Sequence, residues 1–346
     1  MITASPVREH PHLRVNLETA AALVEPSVRA AVDRLPDQEK AIAGYQFGWW
    51  DREGVPTPGN GGKGIRPALV LLSTAAARAA IEQAIGAAVS IELVHNFSLL
   101  HDDIMDGDIK RRSRPSAWLV YGKKAALLTG DALLVLAFDV LAESSGHRSV
   151  AAIQLLTQTL LELAEGQSMD LAFEGRDDVE ILECLTMAGR KTASLTSYAC
   201  AIGPCIAGVD PVTIRHLQGF GYHLGLAFQL MDDVIGIWGD EERAGKPVGS
   251  DLAARKKTLP VVAALTSTGS ARDRLIDLYN RATPFSADDV RSAALLVEQL
   301  GGRAWAEAEM QRQVGIAVSH LRDASLEPAM ADELATLVQR IIRRDR

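Results

Sequence analysis

The chain has 346 residues, 47% hydrophobic, 23% charged and only 5% aromatic, with a formal net charge of −8. That length can bury a large core, and the acidic balance argues against a nucleic-acid partner. Ala- and Leu-rich stretches of 3.6-residue period point to an all-α protein, and no apolar run approaches the ~18–20 residues of a membrane span.

The N-terminal "MITASPVREHPHLRV" lacks the apolar stretch of a secretory signal, and residues 1–14 read as a flexible arm. Helical patterns cover 17–34 and 38–49, followed by the Gly/Pro-rich loop "WWDREGVPTPGNGGKG" at 49–64. From Ile65 onward the pattern predicts helices over 65–80, 81–106, 117–144, 148–173, 178–207, 211–239 and 258–267. Amphipathic stretches near 271–281, 286–300, 303–322 and 329–343 finish the chain, and the polar segment 239–257 is the one later gap. No linker-like break divides these elements, so residues 15–346 read as one domain. Its centre is 81–106 and 211–239, which are apolar on most faces. Cys184, Cys200 and Cys205 stand at no metal-like spacing and read as reduced thiols, which places the protein in the cytoplasm.

The sharpest charge contrast is "HDDIMDGDIKRRSRP" at 101–115, directly after an apolar run. On a helix Asp102 and Asp106 share a face about 6 Å apart, and two carboxylates that close call for a cation between them. All-oxygen ligands favour Mg²⁺. Asp232 and Asp233 close a second apolar helix, with Asp240 beyond it, so facing clusters could bridge metal ions to a diphosphate and improve it as a leaving group. The cations supply anion sites. "GNGGKGIRP" sets glycines, Lys63 and Arg66 at a helix start, and Arg111 and Arg112 follow the first cluster. His95 lies two turns below Asp102 on the same face, and Lys191 and Thr192 interrupt another helical stretch. Asp108, Lys110 and Arg114 read as ordinary surface charges.

Taken together, "GGKGIRPALV", "DDIMDGDIKRRSRP", "EGQSMD", "GLAFQLMDDVIGIWGD" and "KKTLPV" resemble the trans-isoprenyl diphosphate synthases of the polyprenyl synthetase family, in order and in spacing. Geranylgeranyl diphosphate synthases of bacteria are the most similar in pattern. The resemblance implies a helical bundle of the isoprenoid synthase type around a central cavity, assembled as a homodimer. It implies small-molecule diphosphate substrates and three Mg²⁺ ions, with Mn²⁺ as a substitute. Asp102, Asp106 and Asp232 become the metal ligands, with Asp103 and Asp233 beside them. Arg111, Lys191, Lys246 and Lys256 hold the allylic diphosphate, and Lys63, Arg66, His95 and Arg112 hold isopentenyl diphosphate. Gln167, Thr192 and Gln229 line the reacting region and Asp170 supports the metal side. Gly236 stands where the second motif commonly has a third aspartate.

The implied reaction is ionisation of the allylic diphosphate, attack by the isopentenyl double bond and loss of a proton. Val94, Phe97 and Ser98, below Asp102, are the expected chain-length positions. One ring beside one small side chain there resembles C20 producers, with C15 as the alternative, and Phe97→Ala is expected to lengthen the product. A Mg²⁺-dependent terpene cyclase would need no second diphosphate site. A di-iron bundle needs two Glu-x-x-His motifs on helices, and only Glu92–His95 qualifies. A non-catalytic subunit should have lost motif residues that are present here.

Overall fold

The computed structural model describes residues 16–57, 62, 64–239 and 249–342. The arm expected over 1–14, Lys63, Asp240 and Lys246 therefore lie outside the described residues. Helix α1 spans Leu17–Val32, α2 Asp37–Gln46, α3 Ile65–Ala76 and α4 Ile85–Met105. A two-stranded ribbon (β1, Lys110–Arg111; β2, Arg114–Pro115) leads into α5 (Ala117–Tyr121), α6 (Lys123–Ser144) and α7 (Ser149–Glu174). Then come α8 (Ile181–Ala188), α9 (Ser194–Ala207), α10 (Pro211–Trp238), α11 (Ser250–Ala253) and α12 (Leu259–Leu265). Helices α13 (Ser270–Tyr279), α14 (Ala287–Gln299), α15 (Gly302–Asp323) and α16 (Pro328–Ile342) complete the described chain. The protein is all-α apart from the ribbon.

The two helices expected at the centre are there. Helix α4 packs along α6 and α3, and α10 packs along α15 and α9, while α9 runs between α3, α7 and α10. The start of α10 is set locally. Asp210 accepts from Val212 N (3.0 Å) and Thr213 N (2.9 Å), and Pro211 occupies the first turn, where its missing N–H costs nothing. Gly221 and Gly225 let α10 touch α9, since a Cβ on either would fall 2.6 Å from backbone atoms of Thr196 or Ala193. The main core gathers α1 to α10 with α15 and α16, and a smaller one joins the end of α10 to α11, α12, α13 and α14 through Ile237, Leu252, Val261, Leu275 and Leu296.

Several boundaries differ from the sequence pattern, each for a physical reason. The stretch 117–144 breaks at Gly122, whose φ of 90° no helix accommodates. The stretch 178–207 is interrupted by a π-helical turn, Gly189–Ala193. Asp106 caps α4 rather than lying within it, its N–H bonding Asp102 O at 2.8 Å. The expectation that nothing is long and apolar enough to span a membrane needs correcting. Residues 81–105 and 123–144 both pass by length and composition, and both pack in the bundle.

Candidate active site

The second half of α4 presents one face to a cavity of about 490 Å³ through His95, Ser98, Leu99, Asp102 and Asp106. Arg111 and Arg112 enter from the ribbon, Gln167 and Asp170 from α7, and Lys191 and Thr192 from the π turn. Gln229, Asp232 and Asp233 line it from α10, Arg66 from α3, and Lys256 from the segment before α12. Helical spacing of three, four and seven residues brings each set to one face. Asp103, Val94 and Phe97 are not among the lining residues. Val94 is fully buried in the core, and the Phe97 ring meets His101 edge-on at 4.7 Å.

The charges divide into two groups. In the first, Lys256 Nζ donates to Asp106 Oδ2 and Lys191 Nζ to Asp170 Oδ2, both at 2.6 Å. Gly166 permits the second pair, because a Cβ there would lie 2.3 Å from Lys191 N. Burial raises the Asp102 pKa and Asp106 adds to the rise, against the opposing pull of Lys191. Such a carboxylate gains by meeting a cation. Burial likewise pushes Asp233 up to about 7, with Asp251 the next cause, while its bonds from Gln229 Nε2 (2.7 Å) and Leu259 N (3.0 Å) oppose the rise. Thr192 Oγ1 donates to Gln229 Oε1 at 2.7 Å, so one hydrogen-bonded chain ties the π turn to α10 and α12.

In the second group Arg66 Nη1 meets His95 Nε2 at 3.1 Å, and Arg66 Nε is buried without a partner. Burial, then Arg66 and Arg112, hold the His95 pKa well below the usual imidazole value, so the ring is neutral at pH 7. That has a consequence for stability. A depressed histidine leaves the unfolded chain binding a proton the native one refuses, so stability is lost as pH falls below about 6.5. His95→Gln is expected to remove up to about 1.4 kcal/mol per pH unit of that slope, checked by urea unfolding at pH 7.5 and 5.5.

Several residues take roles the sequence did not indicate. Asp103 points out of the cavity and anchors Arg111 on both Nε (2.9 Å) and Nη2, with Asp108 3.5 Å away. Burial lowers the Arg111 pKa, but Asp103 outweighs it and leaves the guanidinium firmly charged. Asp108 is therefore more than a surface charge, and Arg114 too is engaged, over the Tyr45 ring at 4.2 Å. Glu92, noted only as half of an iron motif, is the leading favourable charge felt by both Arg66 and Arg112. Asp251 is the most informative omission. A Cβ on Gly236 would lie 2.7 Å from Asp251 Oδ2, and Gly249 N donates to Gly236 O at 2.9 Å. The carboxylate missing from position 236 is thus replaced in space by one fifteen positions later. A gap in a motif of carboxylates was the available clue.

A sequence profile of the polyprenyl synthetase family matches residues 56–297. The chain belongs to that family, the class of prenyl diphosphate synthases its two aspartate motifs indicated. It is 43% identical over 332 residues to the (2E,6E)-farnesyl diphosphate synthase of Mycobacterium tuberculosis, covering 95% of this chain and 92% of that protein. It is 42% identical over 330 residues to the geranylgeranyl diphosphate synthase of the same organism, covering 95% and 93%. A crystal structure of a polyprenyl synthetase from Streptomyces coelicolor superposes with a TM-score of 0.89 at 44% identity, covering 94% of this chain and 98% of that one. Overall likeness therefore fixes the class and leaves the product length to the cavity.

Proposed function

We infer that this enzyme condenses isopentenyl diphosphate with an allylic diphosphate to give geranylgeranyl diphosphate. The observation that carries the reading is the division of one cavity into two cationic groups, each suited to one diphosphate. Arg111, Lys191 and Lys256 hold the allylic diphosphate, and Arg66, His95 and Arg112 hold isopentenyl diphosphate. The unpartnered Arg66 Nε and the buried, unpartnered amide of Gln167 are polar atoms that a bound substrate would satisfy. Lys63 and Lys246 keep the roles implied by resemblance.

Asp102, Asp106 and Asp232, with Asp251 beside them, are hard oxygen donors that fit Mg²⁺. Among the described residues no three such groups by themselves form a metal site. Bound there, Mg²⁺ would neutralise the departing diphosphate. The allylic C–O bond breaks, the isopentenyl double bond attacks the allylic carbon, and the released diphosphate takes the proton that leaves. Arg111, Lys191 and Lys256 stabilise the charge that develops as that bond breaks. Leu99, Leu163, Leu195 and Phe228 give the growing chain an apolar wall.

The C20 product follows from the small Ser98 on the cavity wall; farnesyl diphosphate is the second reading, favoured by the M. tuberculosis relative of that name. Incubation with Mg²⁺ and dimethylallyl, geranyl or farnesyl diphosphate, each with and without isopentenyl diphosphate, tests both. A C20 diphosphate formed only with isopentenyl diphosphate is expected. Hydrocarbon from farnesyl diphosphate alone would sink the synthase reading in favour of a cyclase. A homodimer is part of the same proposal, because α6 leaves Leu128 (58%) and Val135 (69%) exposed on one face. The free cysteines Cys184, Cys200 and Cys205 support a cytoplasmic enzyme.

A further inference from the structure

Arg111 and Arg112 are adjacent, yet they are held in different ways. Arg111 is fixed from α4 by Asp103, through two donors on one carboxylate oxygen. Arg112 has no such carboxylate anchor among the described residues: its Nη1 reaches Gln46 O at 3.4 Å, at the end of α2. It also sits in the turn of the ribbon, where Arg112 and Ser113 have φ of 52° and 62°. Positive φ at both central positions makes this a type I′ turn, a conformation that residues with a Cβ adopt only under strain. Something must hold that turn in place.

The restraint comes from the far strand. The Arg114 guanidinium lies 4.2 Å over the Tyr45 ring, and its Nη2 donates to Trp50 O at 2.9 Å. Tyr45 Oη donates in turn to Pro115 O at 2.7 Å. The platform beneath is itself locked. Trp50 Nε1 donates to Ala41 O at 2.9 Å, and a Cβ on Gly44 would fall 1.8 Å from the Trp50 ring. Gly62 closes the other side, since a Cβ there would lie 2.8 Å from Arg112 Nη2. These contacts hold the strand that carries the turn through Arg114 and Pro115; Arg114 pairs with Arg111 across the ribbon, but the Arg111 side chain is fixed separately, by Asp103.

We propose that Arg114 and Tyr45 are positioning residues that aim Arg112 at isopentenyl diphosphate while leaving the allylic site unaffected. The proposal rests on the reading of Arg112 given above. Freed from the platform, the turn relaxes toward less strained backbone and carries Arg112 away from the cavity. Arg111 stays, because Asp103 holds it independently.

The test is steady-state kinetics with each substrate varied in turn, on Arg114→Gln, Arg114→Lys, Tyr45→Phe and, as reference, Arg112→Gln. Arg114→Gln is expected to raise KM for isopentenyl diphosphate about tenfold, the loss of one charge-assisted contact. The allylic KM, kcat and Tm should stay near their starting values. Arg114→Lys, which keeps the charge over the ring but loses the fork, should fall between the two. Tyr45→Phe keeps the ring and should show a smaller rise. The proposal is overturned if Arg114→Gln and Arg114→Lys raise both KM values together or lower Tm with kcat, which is what general unfolding would do. It is overturned too if they leave the isopentenyl KM unchanged while Arg112→Gln raises it. An unchanged isopentenyl KM in Arg112→Gln overturns the assignment of Arg112 itself, and the proposal with it.

Discussion

Asp251→Asn is expected to weaken Mg²⁺ binding in the presence of inorganic diphosphate and to cut kcat about 10²–10³-fold, the usual cost of one preorganised electrostatic group. Asp251 lines the cavity next to Asp232 and Asp233, and it raises the pKa values of both Asp233 and Lys256. Restoring the family's commonest residue by Gly236→Asp should also do harm. Its Cβ alone would sit 2.7 Å from Asp251 Oδ2, so two carboxylates would compete for one space. A further negative charge there would push Asp233 higher still and favour its neutral form. The double variant Gly236→Asp/Asp251→Ala, which removes the crowding side chain, is expected to recover metal affinity, because one carboxylate again occupies that position. Calorimetry of Mg²⁺ with diphosphate reads this without relying on turnover. Unchanged affinity in Asp251→Asn would leave Asp251 as support for Lys256 alone.

How much of this was legible in the sequence depended on how local each cause is. The helices from Ile65 onward follow the apolar period closely, because burial of one face per helix is written in spacing of three and four. Asp102 and Asp106 sharing a face follows from the same spacing. The outward turn of Asp103, one residue and about 100° from Asp102, follows from the same geometry, yet the sequence reading set it beside the metal ligands because the paired aspartates stand together in the motif. The π turn at Gly189–Ala193 has no such signature. It is set by where Gly166 and Gly225 let two other helices press against Lys191 and Ala193, contacts far apart in the chain. Arg114 was visible only as a charge, since its partners Tyr45 and Trp50 lie more than sixty positions away. Asp251 was hidden in a polar gap that gave no period to read.

Ser98→Phe is expected to shorten the product, moving the main product from C20 to C15 or C10 in assays started from dimethylallyl diphosphate. Ser98 lies one turn below Asp102 on the cavity face, and its hydroxyl turns back to His95 O at 2.8 Å, so nothing from this position projects across the cavity. A phenylalanine brings an apolar ring that buries about 150–250 Å², and here the space it would fill is the path of the growing chain. Leu163, Leu195 and Phe228 line the same cavity and pack into or against the main core, so the wall retreats only with strain. Condensation itself should continue, because Asp102 and the cationic groups stay where they are, so the rate of the first addition should fall far less than the length. Phe97 does not line the cavity, and Phe97→Ala asks whether its pair with His101 nevertheless lies beneath it. Longer products would place the Phe97–His101 ring pair beneath the cavity, whereas unchanged products would confine the floor to the Ser98 face. Unaltered product length in Ser98→Phe would overturn the assignment of this cavity as the path of the chain, since a ring there cannot share the space with a third or fourth isoprene unit.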